Sequence, residues 1–182
     1  MRIYGNRQLK TLPGRETRPT TARVREAVFN IWQQNIFGCH WLDICAGNGS
    51  MGAEALCRGA ELVVGIEQSA RACSIIRDNW TKIAQPSQVF QIIKGDARIK
   101  LKTLPGNQFD HIYFDPPYDS DLYQPVLNLV VEYNLLSPQG EIAVESDSKS
   151  VDDLIIPGLK QIRRKTYGNT ALSFYVMARS AG

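Results

Sequence analysis

Asp43-Ile44-Cys45-Ala46-Gly47-Asn48-Gly49-Ser50-Met51-Gly52 is the stretch on which the reading of this chain turns. His40 to Cys45 is an apolar run of strand type, and Gly47, Gly49 and Gly52 then fit the pattern G-x-G-x-x-G. A short helix is expected from the loop to about Arg58, with Gly59 as its C-terminal cap. A glycine-rich turn between a strand and a helix lets the backbone approach a ligand without a Cβ in the way. Glu67 lies 20 residues beyond Gly47, at the end of the next strand-like run, where a carboxylate can accept hydrogen bonds from two ribose hydroxyls. The loop alone suits a nicotinamide dinucleotide as well as S-adenosylmethionine, and a tight turn without a ligand is the plain alternative. Two acids favour S-adenosylmethionine. Asp43 is placed to face an amino-acid ammonium, and Asp96, after the third strand, to meet an adenine amino group. Ala46, Gln68 and Ala97, neighbours of these residues, complete the expected cofactor contacts.

Outward from the loop the pattern alternates. Strands are expected at Leu62–Ile66, Val89–Ile93, Phe109–Phe114 and Glu141–Val144. Between them, Ser69 caps a helix with Cys73, Ile76, Trp80 and Ile83 on its apolar face. A second helix carries Leu122, Val126, Leu129, Val130 and Tyr133, and Ser137-Pro138-Gln139-Gly140 reads as a turn. Leu159–Thr166 and Ala171–Ala178 flank Tyr167-Gly168-Asn169-Thr170, a hairpin signal. Before the loop, residues 1–19 read as loop or hairpin. A helix capped by Thr20 or Thr21 follows, with Val24, Ala27, Val28, Ile31 and Trp32 on one face. The expected fold is α/β: a Rossmann-like, mostly parallel sheet with a C-terminal antiparallel hairpin and a short basic N-terminal extension. Residues 1–38 form the extension and 39–182 the main domain. Ligands belong at the carboxyl ends of the strands.

Asp115-Pro116-Pro117-Tyr118 follows the fourth expected strand. Two prolines end the ladder and stiffen the chain, holding Asp115 and Tyr118 in a set geometry. That suits methyl transfer to a conjugated amine, a poor nucleophile whose lone pair is delocalised. The Asp115 carboxylate and the Pro116 carbonyl can accept its two hydrogens and turn the lone pair outward. Tyr118 offers a face for an unstacked base.

The chain has 182 residues, 43% hydrophobic and 21% charged, which fits one packed soluble domain and excludes disorder as the main reading. No stretch is long and apolar enough to span a bilayer, and the first residues lack the apolar core of a secretory signal. Cys39, Cys45, Cys57 and Cys73 form no C-x-x-C pair and have only His40 and His111 to complement them, so neither a metal site nor a disulfide framework is expected. The compartment reads as cytoplasmic. The net charge of +3 is unevenly spread: residues 1–40 carry seven Lys/Arg against two acids, while the rest is net negative. A basic arm before an acidic body points to a polyanionic partner, or to a solvated N-terminus.

Asp43 to Gly52, Glu67, Asp96 and Asp115-Pro-Pro-Tyr118 together resemble class I S-adenosylmethionine-dependent methyltransferases acting on exocyclic amines. Arg18-Pro19-Thr20-Thr21-Ala22-Arg23-Val24-Arg25-Glu26-Ala27-Val28-Phe29-Asn30-Ile31 resembles the N-terminal signature of RsmD-type enzymes, departing from it at Ala22. The resemblance covers nearly the whole chain. It implies transfer of a methyl group to guanine N2 in bacterial 16S ribosomal RNA; a small catalytic domain has little surface for reading sequence, so the assembled or partly assembled small subunit is the expected substrate form, and a monomer the expected enzyme. The resemblance also implies that the N-terminal hairpin and helix hold RNA, with Arg18, Thr20 and Arg23 near the cofactor mouth; the charge of the arm adds Arg2, Arg7, Lys10 and Arg15 as expected RNA contacts. Adenine-N6 methylation of RNA or DNA is the near rival. Glutamine-amide methylation, a nicotinamide dehydrogenase and a non-catalytic RNA-binding module are further ones.

Overall fold

The computed structural model describes residues 1–11, 21–104, 106–150 and 154–178. The chain opens with a hairpin of β1 (Arg2–Ile3) and β2 (Arg7–Gln8), which pair antiparallel. Then come α1 (Ala22–Ile31), β3 (His40–Ile44), α2 (Ser50–Cys57), β4 (Leu62–Glu67), α3 (Ala70–Ile83), β5 (Val89–Lys94) and α4 (Ala97–Lys100). β6 (Phe109–Phe114), α5 (Tyr123–Glu132), β7 (Leu136–Asp147), β8 (Leu159–Tyr167) and β9 (Thr170–Met177) complete it. Thr21 caps α1 by accepting from the Val24 N–H, and Ser69 caps α3 by accepting from the Ala72 N–H.

Seven strands form one sheet in the order β5-β4-β3-β6-β7-β9-β8. β3 to β7 are mutually parallel, and β9 runs antiparallel between β7 and β8. The expected mostly parallel sheet with a closing hairpin is therefore present. Gly168 takes the positive φ, +63°, that a two-residue hairpin loop asks of its first residue. The direction of winding reverses between β3 and β6, so a crevice opens at their carboxyl ends. One sheet face packs against α1, α2 and α3, around Phe29, Trp32, Trp41, Trp80 and Phe174. The other packs against α4 and α5, around Leu42, Ile112, Phe114, Val126 and Val130. Among the described residues no helix is long and apolar enough to cross a membrane.

Two elements differ from expectation: the four-residue α4, capped by Asp96, stands between β5 and β6 where no helix was expected, and the expected turn before the fifth main-sheet strand is part of a strand. Ser137-Pro138-Gln139-Gly140 does not separate two elements; it is a bulge inside the twelve-residue β7. Phe109 pairs with Leu136 and His111 with Glu141, so the extra residues loop out and the ladder resumes. Ser137 Oγ donates to Asp110 on β6 and holds the bulge against the sheet. A proline is tolerated there because the bulged residues make no ladder bond.

The sheet, α2 and α3 meet at Trp80, which is fully buried. Its indole N–H donates to the Gly49 carbonyl at 2.8 Å. A Cβ on Gly52 would sit 2.3 Å from the Trp80 ring, and one on Gly65 of β4 2.7 Å from it. The ring thus fills a slot that only glycines on α2 and β4 leave open. Gly52→Ala is expected to lower stability by about 1–3 kcal/mol through overpacking, and Trp80→Phe by a similar amount through the lost hydrogen bond and volume. Denaturant unfolding of both variants and the double variant should give a double-mutant cycle with a coupling above about 0.5 kcal/mol, because the smaller ring makes room for the new methyl.

Candidate active site

The crevice holds a cavity of about 560 Å³, lined from the carboxyl ends of β3, β4, β5, β6 and β7. Among the described residues six carboxylate residues line it, Asp43, Glu67, Asp96, Asp115, Asp121 and Glu145, against one cation, Arg98. Such a wall of one sign favours a positively charged ligand.

β3 delivers the loop into the cavity. Cys45 and Gly47 adopt positive φ, +63° and +57°. The Ala46 N–H donates to Ile66 on β4, and the Gly49 N–H to Ala46, tightening the turn. The three glycines do not share one task. Among the described residues nothing lies within 4 Å of a Cβ built on Gly47, which lines the cavity. Gly49 and Gly52 instead face Trp80 and Ile76 and are absent from the cavity wall. The expected close approach of backbone to ligand is therefore available at Gly47, while Gly49 and Gly52 serve the packing behind it.

Asp43 is buried and accepts from the Gly52 N–H at 3.1 Å. Removal from water pushes its carboxyl up to about 8, outweighing that hydrogen bond. Glu67 spans the loop, one oxygen accepting from the Gly47 N–H and the other from the Ser69 N–H, both at 2.8 Å. The carboxylate is thereby oriented at the cavity, and each of its oxygens can take a further hydrogen bond. Asp96 lines the cavity but is also the N-cap of α4, accepting from the Arg98 N–H. The Arg98 guanidinium grips both of its oxygens and holds its carboxyl below the usual range. Arg98 reaches Asp121 as well, at 3.5 Å. Ala46, Gln68 and Ala97 also line the wall.

The Asp115-Pro116-Pro117-Tyr118 segment leaves β6 beside the loop and lines the same cavity, and the Asp115 N–H still donates to Ile44 of the neighbouring β3. Tyr118 lines the cavity with its hydroxyl anchored: it lies 3.0 Å from Glu145 Oε1 and 2.9 Å from Thr170 Oγ1. Burial, with the nearby Glu145 and Asp115 carboxylates, pushes this phenol up to about 12, so it stays neutral. The Tyr113 hydroxyl donates to Glu145 as well. The Cys45 thiol, raised by burial, stays neutral and is no nucleophile.

Glu145 is the residue that sequence reading passed over, because the fifth strand was expected to stop at Val144. The signal was present. An acid two positions past Ala143 shares its face, and the carboxyl end of a parallel strand is where sites form. Arg98, Asp121, Asn48 and Thr170 carried no comparable pattern.

The N-terminal cations are dispersed. Arg7 donates to the Ile83 carbonyl and the Cys57 thiol. These close α2 and α3 at the amino edge of the sheet, the end opposite the cavity. Lys10 pairs with Asp78 at 2.7 Å, and Arg2 bonds Asn6. Arg23 lies over the Tyr167 ring, 5.8 Å from its centroid, on the cavity side. Arg15, Arg18 and Thr20 lie outside the described residues. Arg25 is buried and ion-paired with Glu54 at 2.5 Å, so its charge is not offered to a partner.

The family model described as "Conserved hypothetical protein 95" matches residues 1–176. The chain is 32% identical over 171 residues to "Putative rRNA methyltransferase YlbH" of Bacillus subtilis, covering 93% of this chain and 92% of that protein. It is 31% identical over 176 residues to "Ribosomal RNA small subunit methyltransferase D" of Haemophilus influenzae, covering 95% and 90%. Among solved structures, "Putative methyltransferase yhhF from Escherichia coli" superposes with a TM-score of 0.82 at 28% identity, covering 97% of each chain. With its class I methyltransferase sheet and its acidic cavity at the carboxyl edge, the chain belongs to the RsmD/YlbH methyltransferase family, described as Conserved hypothetical protein 95.

Proposed function

We propose that this protein methylates the exocyclic N2 amine of a guanine in 16S ribosomal RNA, with S-adenosylmethionine as donor. The observation that carries the reading is the placement of Asp115-Pro-Pro-Tyr118 in one acidic cavity with the glycine loop. The residues fit that donor: a cation suits the carboxylate wall, the open side of Gly47 gives backbone access, and the oriented Glu67 suits a ribose diol. Asp43 is placed for the amino-acid ammonium and Asp96 for the adenine end, with Ala46, Gln68 and Ala97 as walls. When bound, S-adenosylmethionine supplies an electrophilic methyl group.

The chain's own residues prepare the nucleophile. Asp115 and the Pro116 carbonyl accept hydrogen bonds from the amine and turn its lone pair toward the donor, and the Asp115 carboxylate takes up the proton that the nitrogen sheds. Fixed orientation of this kind is worth up to about 7–11 kcal/mol of barrier. Tyr118 gives the base a face, its ring held by Glu145 and Thr170. The acceptor-rich wall supports guanine over adenine, because guanine presents N1–H and N2–H donors side by side where adenine presents an N1 acceptor. The signature from Arg18 to Ile31, and the likeness to a small-subunit rRNA methyltransferase, support the ribosomal target.

Asp115→Ala should remove most turnover, a loss of about 100-fold or more, while the Kd for S-adenosylmethionine by calorimetry stays within about twofold. Mass spectrometry of nucleosides from 16S RNA incubated with the enzyme should show N2-methylguanine; N6-methyladenine would overturn the target and favour the rival.

Asp43 makes binding pH-dependent. Burial keeps its carboxyl protonated below about 8. An ammonium beside it favours the carboxylate, so binding expels a proton. Affinity for S-adenosylmethionine should therefore rise between about pH 6 and pH 8, by up to about tenfold per unit. Calorimetry should show proton release in that window, and Asp43→Asn should flatten the dependence.

A further inference from the structure

The sequence placed the polyanion-binding charge in the N-terminal arm, but the structure holds a second basic element in the body of the protein. β8 reads Leu-Lys-Gln-Ile-Arg-Arg-Lys-Thr-Tyr, four cations and no acid in nine residues, and it is an edge strand. Edge strands are often charged to discourage pairing with other chains. That purpose is served by either sign and by either face. Here one sign and, for most of the row, one face are selected.

The selection comes from a bulge. Lys160 pairs with Val176, Arg163 with Phe174, Lys165 with Leu172 and Tyr167 with Thr170, and the register shifts between Gln161 and Arg163. Val176, Phe174, Leu172 and Thr170 alternate along β9 and so share a face. Ile162 is the extra residue. In an unbulged strand Lys160, three positions from Arg163, would point away from Arg163 and Lys165; because Ile162 bulges out, all three cations and Tyr167 stand on the α1 side. The three cations are exposed, and among the described residues none has a carboxylate partner. Arg163 is braced over the Phe174 ring, 5.5 Å from its centroid.

The row points at the active site. β8 runs in the same direction as β7, so its Tyr167 end lies at the edge that bears the cavity. There Arg23 of α1 covers the Tyr167 ring, and Thr170, the partner of Tyr167, bonds the Tyr118 hydroxyl. Alternate strand positions are about 7 Å apart, comparable to the interval between consecutive backbone phosphates.

We propose that Lys160, Arg163 and Lys165, with Arg23 at the cavity end, form a track for the RNA backbone that leads the substrate to Tyr118. The inference rests on the RNA reading above and adds a surface outside the N-terminal arm. In the test, Lys160→Gln, Arg163→Gln and Lys165→Gln are combined. A control combines Arg77→Gln, Lys82→Gln and Lys102→Gln, exposed cations elsewhere that change net charge equally. Binding of transcribed 16S RNA is measured as a function of salt, and calorimetry with S-adenosylmethionine checks that the fold is intact. The track variant should lose at least about tenfold in affinity near 0.1 M salt, with a slope of log K against log salt shallower by about 2. The control variant should keep both. The charge-retaining triple Lys160→Arg, Arg163→Lys, Lys165→Arg should bind as the unaltered protein does. An unchanged affinity and slope in the track variant, or an equal loss in the control, overturns the track while the RNA reading stands. Absence of RNA binding by the unaltered protein overturns the RNA reading and the track with it.

Discussion

The burial of Trp80 against three glycines is the contact on which the rest of the molecule depends. Its ring closes the space between α2, α3 and β4, and its indole N–H adds a second donor to the Gly49 carbonyl, which also accepts from the Ala53 N–H. The same loop turns Gly47 to the cavity. A motif usually credited to the ligand is thus divided, one glycine for the ligand and two for an indole. Stability and ligand access are coupled through one side chain, since anything that shifts Trp80 shifts the loop.

The N-terminal segment is tied to this centre by polar groups that the body buries. Glu54 on α2 receives Arg25 from α1 and Arg58 from its own helix, and Arg25 continues to the Arg2 carbonyl. A buried carboxylate with two guanidiniums is stable only as a complete set, because either charge left alone would be costly. Asn79 forms a second tie. Its amide holds the backbone of Lys10 on both sides and also donates to the Asn48 carbonyl in the glycine loop. α1 itself contributes Val24, Val28, Phe29 and Trp32 to the core that contains Trp80. The N-terminal helix is thus a wall of the catalytic layer as much as an approach to it.

At the carboxyl edge the controlling variable is water. Asp43 and Glu145 are both nearly excluded from solvent, yet they are treated differently. Asp43 has one backbone donor and burial raises its carboxyl toward neutrality, so that it gives up a proton when a cation arrives. Glu145 is surrounded by hydroxyls, from Tyr113 and Tyr118, and locks the Asp115–Tyr118 segment onto β7 and β9. One carboxylate waits for a partner and the other has its partners built in. That division fits a site that must admit a charged donor and hold a rigid platform for the acceptor.

Local pattern was enough for the order of elements, the loop after β3, the caps at Thr21 and Ser69, the C-terminal hairpin, and the positions of Glu67 and Asp115-Pro-Pro-Tyr118. Each of these rests on interactions within a few residues: periodicity, capping, and the stereochemistry of glycine and proline. What the chain order hid were contacts between residues far apart in sequence. Gly52 meets Trp80 across two elements, Tyr118 meets Glu145 and Thr170 across three strands, and Arg25 finds Glu54 between helices. Charge was only partly legible for the same reason. A count along the chain marked the N-terminus as basic, but burial against Glu54 withdrew Arg25 from the surface, and a single bulged residue gathered Lys160, Arg163 and Lys165 on one face. Sequence by itself determined which elements form and which chemistry they carry, because those follow from short-range sterics. Only the tertiary structure decided which charges are spent inside and which face a partner, because that depends on burial and on strand register.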